Sequence, residues 1–245
     1  MPLKFQVFLT ILNLKGFIFD NNLEMTPEYF SVFLNNFNQK YKMKIIFLDI
    51  DGVLQPYNTS ARFKLKLEEL NKKLVEEFND VRYLDFNHFD SGAAYADWHP
   101  VALQGLRTLC EKGKAQIVVT SDWRYYHDLP HMRLLFKLHG LDQFILDIIP
   151  LQPDDEKPKG RTEQVHEYLL AHPEITNFVV LDDIHFKFPE FYPKNFVLCK
   201  GHLTELLAAQ ALTILKRRKK AEIPTPEQIE TIIKNIKPFK FPNIF

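Results

Sequence analysis

Residues 44–54 read KIIFLDIDGVL, and this stretch decides the fold. Its first part, 44–48, is a short run rich in strand formers, which is typical of a strand buried in a parallel sheet. Asp49 and Asp51 follow directly, and because they are two residues apart their side chains point the same way. Gly52 then lets the backbone turn sharply. The stretch therefore predicts a buried strand with two carboxylates at its carboxyl end.

Apolar runs and helical patterns alternate along the rest of the chain. Further strands are predicted at 116–119, 144–149, 178–181 and 196–199. Helices are predicted at 60–78, at 97–112 with Asp97 as the cap, and at 130–139, 162–171 and 203–220. Residues 79–97 mix aromatic and polar side chains and are predicted to be loop. This alternation predicts an α/β fold, a Rossmann-like three-layer α/β/α arrangement with a central parallel sheet.

Three segments are predicted along the chain. Residues 1–42 form an N-terminal extension that packs on the core, and residues 43–220 form the core itself. A small helical cap insert occupies residues 55–97 of the core, and residues 221–245 form a helical tail that contains prolines. Met43 directly precedes the strongest motif, so a native start at that residue is an open alternative.

Composition and charge exclude several classes of protein. The 31 basic and 31 acidic residues cancel, so no global charge points to nucleic acid or a membrane. Cys110 and Cys199 are the two cysteines, and their separation argues against a disulfide scaffold or a zinc site. The apolar stretch 5–14 is too short to span a bilayer. We expect a cytoplasmic protein without a membrane span, with both cysteines buried.

Polar side chains follow three of the predicted strands. They are Asp49 and Asp51, Thr120 and Ser121, and Asp182 and Asp183. Ligands of open parallel sheets bind at the carboxyl ends of the strands, so we expect these groups to converge. Like-charged carboxylates about 4 Å apart repel by on the order of 4 kcal/mol at an effective dielectric of about 20, so the cluster persists only if it holds a cation or takes up a proton. Oxygen ligands without His or Cys favour Mg²⁺, which leaves positions for a substrate phosphate. The cluster therefore predicts phosphoryl chemistry.

Two groups of basic residues bear on that chemistry. Lys157 and Lys159 lie in a loop before a predicted helix, and either can balance charge in a phosphoryl transition state. The basic run 216–220 is interpreted as a solvated helix end. A contact between this run and nucleic acid or a membrane surface is the alternative.

The order of these motifs resembles the haloacid dehalogenase (HAD) superfamily. DIDGVL at 49–54, VVTS at 118–121, a lysine at 159 and VVLDD at 179–183 follow the order of its four signature motifs. The resemblance implies a phosphatase that acts through an aspartyl-phosphate. It implies that Asp49 is the nucleophile and that Asp51 is the general acid and base.

The resemblance also implies the roles of the remaining groups. The carboxylates of Asp49, Asp182 and Asp183 and the backbone carbonyl of Asp51 hold Mg²⁺. Thr120 binds the phosphoryl oxygens, with Ser121 beside it either as a second phosphate ligand or as a turn cap. Lys159 bridges the nucleophile and the phosphate.

A narrower resemblance is to a small subgroup with a TS-x-W-R signature that is seen beside RNA-repair enzymes. TSDWR at 120–124, KGRTEQV at 159–165, LDDIH at 181–185 and KGHLTE at 200–205 carry it. It favours Lys159 over Lys157 as the catalytic cation. It also implies that Arg124 contacts phosphate, with a surface charge as the alternative.

The expected function is Mg²⁺-dependent hydrolysis of a phosphomonoester. The substrate is either a phosphorylated small molecule or a phosphate-ended macromolecule. One alternative is a polynucleotide or nucleotide phosphatase in RNA or DNA processing. The other is a catalytically silent HAD fold that serves as a binding module.

Overall fold

The computed structural model describes residues 43–152 and 159–235. The predicted N-terminal extension, Lys157 and the last residues of the predicted tail lie outside these ranges. Among the described residues, no helix has the length and apolar character needed to cross a membrane.

A five-stranded parallel sheet forms the centre of the fold. Its strands are β1 (Met43–Leu48), β2 (Gln116–Val119), β3 (Ile145–Ile148), β4 (Ile175–Asp182) and β5 (Phe196–Leu198). The strand order is β3-β2-β1-β4-β5. Leu48, the last residue of β1, is level with Val119 on one side and Leu181 on the other. The residues that follow these three positions are therefore neighbours at one edge of the sheet.

Helices cover both faces of the sheet. Within the described ranges they are α1 (Leu67–Phe78), α2 (His88–Ala96), α3 (Pro100–Gly113), α4 (Leu129–Lys137), α5 (Arg161–Ala171), α6 (Phe188–Phe191), α7 (Glu205–Leu215) and α8 (Pro226–Asn235). Alternate residues of β1 enter different cores, with Ile46 and Leu48 on one face and Ile45 and Phe47 on the other. The predicted three-layer α/β/α fold is confirmed.

The predicted helix at 60–78 is wrong at its start. A separate 3₁₀ turn covers Ala61–Lys64, and α1 begins only at Leu67. The Nε of Arg62 donates to Asp97 Oδ2 at 2.5 Å, which ties the 3₁₀ turn to the core. Asp97 therefore does not cap the next helix as predicted. His99 caps α3 instead, since its Nδ1 accepts from the backbone N–H of Val101.

The loop predicted at 79–97 is also wrong. A 3₁₀ turn covers Val81–Asp85, and α2 follows with Asn87 as its cap. Gly92 explains the difference, because a Cβ there would lie 2.4 Å from Leu67 Cδ2. Helix α2 is thus built from small residues so that it can approach α1, and an apolar stripe is missing from its sequence. The segment predicted as a cap insert contains α1 and α2, and its role as a cap stays a prediction.

The long helix predicted at 203–220 ends earlier, at Leu215. Beyond it the guanidinium of Arg217 donates to the carbonyl of Lys194, and the backbone N–H of Ala221 donates to the carbonyl of Thr176. These contacts take the chain out of the helix and toward the start of β4. The basic run 216–220 therefore follows the helix, and its residues are exposed. The expectation that Cys110 and Cys199 are buried is confirmed, and both are free thiols.

Candidate active site

Asp49 lies at the centre of the sheet edge, directly after β1. Its backbone N–H donates to the carbonyl of Leu181 at 3.0 Å, which continues the ladder between β1 and β4. Its Oδ1 accepts from the backbone N–H of Ile50 at 2.8 Å. The residue is only 4% exposed, so the carboxylate is held in one orientation with little room for water.

Three carboxylates meet at this point. Asp49, Asp182 and Asp183 each offer an oxygen, and these oxygens lie within 4.8 Å of one another. Burial raises the pKa of both Asp182 and Asp183 to about 6, and the negative charge of Asp49 contributes to the rise. The positive charge of Arg161 opposes the rise at Asp182. The group therefore favours either a proton or a cation among its oxygens.

Gly52 allows the chain to turn against this carboxylate group. Its φ is +71°, and a Cβ at this position would lie 2.6 Å from the Cβ of Asp183. Both the left-handed backbone and the close approach need a residue without a side chain. The glycine of the DIDG stretch thus brings the turn after Asp51 close to Asp183.

Two buried hydroxyl groups follow β2. The backbone N–H of Thr120 donates to the carbonyl of Leu48 at 2.8 Å, so Thr120 lies beside Asp49. Thr120 and Ser121 are 0% and 1% exposed. Among the described residues neither hydroxyl has a hydrogen-bond partner. Buried hydroxyl groups are normally satisfied, so these two indicate a missing acceptor or donor at this edge.

Arg161 is the cation that contacts the carboxylates. It is the first residue of α5, and its Nη1 donates to Asp49 Oδ2 at 2.5 Å and to Asp182 Oδ2 at 2.8 Å. Its Nη2 donates to Asp122 Oδ1 at 3.2 Å, and its guanidinium lies 5.0 Å from the ring centre of Phe186. Burial lowers the pKa of Arg161, but Asp49 and Asp182 raise it to a net value above the usual one.

Arg161 is not among the site residues predicted from the sequence. The available signal was its place at the start of a helix, two residues after Lys159 in the segment that reads KGRTEQV. An arginine is rarely buried unless acidic groups pair with it. The burial itself is visible only in the structure.

Lys159, the predicted catalytic cation, is placed differently. Its Nζ forms an ion pair with Glu167 Oε1 at 2.8 Å, and its backbone N–H donates to the side chain of Gln152. The structure thus directs the Lys159 ammonium to helix α5, while Arg161 reaches Asp49. The catalytic role of Lys159 stays a prediction.

Arg124, the predicted phosphate contact, is buried under the strand end. Its Nη1 donates to the carbonyls of Thr120 and Ser121, and its Nη2 donates to Gln164 Oε1 at 2.8 Å. These bonds join the end of β2 to α5, so the structure gives Arg124 a supporting position. Contact with phosphate stays a prediction.

Asp51 lies beside the carboxylate group and contacts an indole. Trp123 Nε1 donates to Asp51 Oδ2 at 2.9 Å. Burial raises the pKa of Asp51 above the usual carboxyl value, and the bond from Trp123 partly opposes this rise. A carboxyl group with a raised pKa suits a residue that must both give and take a proton.

Comparison with known families agrees with this geometry. Residues 45–206 match the family described as HAD domain in Swiss Army Knife RNA repair proteins. The chain belongs to this family. A HAD domain implies phosphohydrolase-type activity, and a cluster of three aspartates is present in this HAD domain. Comparisons with curated proteins and with solved structures gave no significant match.

The acidic group of the HAD domain fits a hard divalent cation. All three side chains offer carboxylate oxygens, the donors that Mg²⁺ prefers, and no sulfur or imidazole ligand stands among them. Burial, and after it the nearby charge of Asp49, raises the pKa of Asp182 and Asp183, and a bound cation would relieve the same charge repulsion.

Proposed function

We propose that this HAD domain is a Mg²⁺-dependent phosphomonoester hydrolase that uses Asp49 as its nucleophile. The observation that carries the proposal is the convergence of Asp49, the unpartnered hydroxyl of Thr120 and the buried cation Arg161 at one sheet edge. A nucleophile, a donor for phosphoryl oxygens and a positive charge are the groups that phosphoryl transfer needs.

The carboxylates of Asp49, Asp182 and Asp183 would hold the metal ion. When bound, Mg²⁺ neutralises charge on the phosphate and on the carboxylates. Asp183 is partly exposed, whereas Asp182 is buried and is held by Arg161 and by the backbone N–H of Ile184. We therefore propose Asp183 as a direct ligand and Asp182 as a residue that also positions Arg161.

Arg161 supplies positive charge on the protein side of the reaction. Its Nη1 holds Asp49 Oδ2, which orients the nucleophile. The hydroxyl group of Thr120, and Ser121 next to it, donate to the phosphoryl oxygens. Preformed donors of this kind are worth most where charge develops in a buried site.

The reaction proceeds in two displacement steps. In the first, a carboxylate oxygen of Asp49 forms a bond to phosphorus while the bond from phosphorus to the leaving oxygen breaks, and Asp51 gives its proton to that oxygen. In the second, Asp51 takes a proton from water as the water oxygen attacks phosphorus. The Asp49–phosphorus bond then breaks and inorganic phosphate leaves.

The direct test is phosphate release from para-nitrophenyl phosphate. We expect turnover with Mg²⁺, loss of turnover with EDTA, and loss in Asp49→Asn. Activity that survives in Asp49→Asn would exclude Asp49 as the nucleophile.

A phosphate-ended nucleic acid is the second candidate substrate. The family description names RNA repair proteins, and exposed aromatic side chains follow two of the site segments. Tyr125 and Tyr126 come after Arg124, and Phe186 lies over Arg161. Aromatic side chains of this kind can stack on bases next to a bound terminal phosphate.

This candidate is tested by comparing specificity constants. If RNA ends are the substrate, kcat/KM for a phosphate-ended oligoribonucleotide exceeds that for para-nitrophenyl phosphate, and Tyr126→Ala lowers only the former. Equal loss on both substrates would argue against stacking. Absence of all turnover, with a binding partner retained by Asp49→Asn, would favour a silent binding module.

A further inference from the structure

We propose that Trp123 is a positioning residue that aims the carboxyl group of Asp51 at the leaving group. The inference rests on the proposed function, in which Asp51 is the general acid and base. It gives a role to the tryptophan of the TSDWR segment.

The contact itself constrains which oxygen of Asp51 can act. Trp123 Nε1 donates to Asp51 Oδ2 at 2.9 Å. An indole N–H is a donor only, so the Oδ2 atom that receives this bond is kept as an acceptor. The proton that Asp51 exchanges is therefore carried by Oδ1. Trp123 thus selects the oxygen and fixes the plane of the carboxyl group.

Packing holds the indole in place. Trp123 lies 5.9 Å from the ring of His127 and 6.0 Å from the ring of Trp98, measured between ring centres. His127 in turn contacts Asp90 of α2, with Nε2 and Oδ2 3.3 Å apart. The donor to Asp51 is thus held between the core and the segment that contains α1 and α2. Rigid support of this kind is what a positioning residue requires.

Trp98 provides a matched control. It is buried against Trp123, but among the described residues its Nε1 has no hydrogen-bond partner. Replacing either tryptophan by phenylalanine removes one indole N–H and a similar volume. Only Trp123→Phe also removes a bond to Asp51.

Substrates with different leaving groups distinguish a loss of Asp51 positioning from a general loss of active-site structure. Para-nitrophenolate leaves without a proton, whereas the alkoxide of β-glycerophosphate needs one. We expect Trp123→Phe to lower kcat/KM for β-glycerophosphate roughly 10- to 100-fold, the range for a lost hydrogen bond to a charged group. The loss of kcat/KM for para-nitrophenyl phosphate is expected to be several times smaller, because kcat/KM reports only the steps up to departure of the leaving group and not the later attack of water. Trp98→Phe keeps the ratio of the two substrates at the wild-type value.

A double-mutant cycle completes the test. In an Asp51→Asn background, Trp123→Phe is expected to change kcat/KM for β-glycerophosphate by less than about twofold, because the group it positions is already disabled. Equal losses on both substrates, additive losses in the cycle, or the same substrate ratio in Trp98→Phe and Trp123→Phe would overturn the proposal. Turnover that persists in Asp49→Asn would instead overturn the proposed function. The two failures are therefore distinguishable. Thermal unfolding of each variant confirms that a folded protein is compared.

Discussion

Arg161 joins two carboxylates that would otherwise repel, and this single side chain has the clearest consequence for activity. Because its Nη1 bonds to both Asp49 and Asp182, Arg161→Ala is expected to lower kcat about 100- to 1,000-fold, as loss of a buried donor in a reaction site does. Arg161→Lys recovers only part of the loss, since an ammonium lacks the planar fork of a guanidinium. Steady-state turnover of para-nitrophenyl phosphate measures both effects.

Lys159→Ala is the matched comparison for the Arg161 variants. The ammonium of Lys159 pairs with Glu167 on a partly exposed surface, where ion pairs contribute little. We expect kcat to change by less than about threefold, in line with the small worth of such pairs. If Lys159→Ala is the more damaging substitution, the role that the motif order predicts for Lys159 is correct and our assignment to Arg161 is wrong.

In the metal-free protein the charge of Asp183 is expected to destabilise the fold, and bound metal is expected to remove this destabilisation. Removing one of the repelling charges in Asp183→Asn should raise Tm at about pH 7.5 by roughly 2–4 °C, which corresponds to about 1 kcal/mol in a chain of this size. The same substitution should abolish the rise in Tm that Mg²⁺ gives the wild type. Calorimetry with EDTA and with Mg²⁺ measures both, and an unchanged response to Mg²⁺ in the variant would contradict the metal site.

The pH dependence of this effect follows from the raised pKa values. The folded pKa of Asp182 and Asp183, about 6, lies above that of an unfolded carboxyl, so the folded state binds more protons between these values. In the metal-free protein the stability linked to these groups is fully present below the unfolded pKa and is lost as pH rises through about 6. The advantage of Asp183→Asn is therefore expected to shrink as pH falls toward about 4. A constant difference in Tm across this range would contradict the assignment of the repulsion to Asp183.

Gly52→Ala tests the turn that brings Asp51 and Asp183 together. The left-handed φ of +71° and the approach of Asp183 to 2.6 Å both oppose a methyl group. We expect a loss of at least about 1–2 kcal/mol in the free energy of unfolding and a loss of Mg²⁺ binding. Gly201→Ala is a matched control, because its φ is also positive but no atom lies within 4 Å of the position of its Cβ. Equal retention of Mg²⁺ binding in both variants would exclude the close approach as the cause.

The site residues at strand ends were predictable from the sequence, whereas the residues that reach the site from other elements were not. Asp49, Thr120 and Asp182 follow apolar runs, so a parallel sheet brings them together by register alone. Arg161 and Trp123 reach the same place because α5 and the turn after β2 fold back over the sheet edge. Their contacts depend on the tertiary arrangement, which no local pattern records.

Among the elements, the segment between β1 and α3 departs most from its sequence pattern. Helix α2 packs on α1 through Gly92 and neighbouring alanines, so it lacks the apolar periodicity that identifies a helix. The three central strands β2, β1 and β4, by contrast, are mostly buried apolar runs whose character does not depend on which neighbour covers them. The sheet is therefore predicted correctly from the sequence, whereas helix α2, which depends on a close contact with α1, is missed.

Tyr83 tests whether this segment is part of the core or a separate lid. Its hydroxyl donates to the carbonyl of Leu134 at 3.0 Å, and its ring is fully buried near Phe78 and Phe86. Tyr83→Phe leaves that carbonyl unsatisfied, so we expect a loss of about 1–2 kcal/mol in urea unfolding with a single transition.

Tyr95→Phe is the control for Tyr83→Phe. The Tyr95 hydroxyl accepts only a long bond of 3.4 Å from Lys73 at the surface, so its removal should leave the free energy of unfolding nearly unchanged. Two separate unfolding transitions for the wild type would show that the segment with α1 and α2 folds independently of the sheet.

At the scale of the whole molecule, the basic run and the site lie at opposite ends of β4. Ala221, just after the run, bonds to Thr176 near the start of this strand, whereas Asp182 ends it. The six residue steps from Thr176 to Asp182 span about 20 Å along the strand. The run at 216–220 is therefore too distant to contact a phosphate bound at Asp49.

The exposed residues Lys216 and Arg218 test this separation. Exchanging both for glutamine is expected to leave kcat/KM for para-nitrophenyl phosphate within about twofold of the wild type, as for sites that share no partner. If the double variant has a lower kcat/KM than the wild type for a long oligoribonucleotide, and this difference disappears at high salt, the run contacts nucleic acid. A loss of about tenfold or more on the small substrate would contradict the distance argument.

The central claim is that Asp49 carries the phosphoryl group during turnover. In Asp51→Asn, para-nitrophenolate can still leave without a proton, but the attacking water loses its base, so the intermediate should accumulate. The most direct measurement is acid quench of this variant with para-nitrophenyl phosphate and Mg²⁺, followed by mass spectrometry of the digested protein. Our account predicts a phosphoryl group on Asp49 that is absent with EDTA. A phosphoryl group on another residue, or an unmodified Asp49 in a variant that still releases para-nitrophenolate, would contradict it.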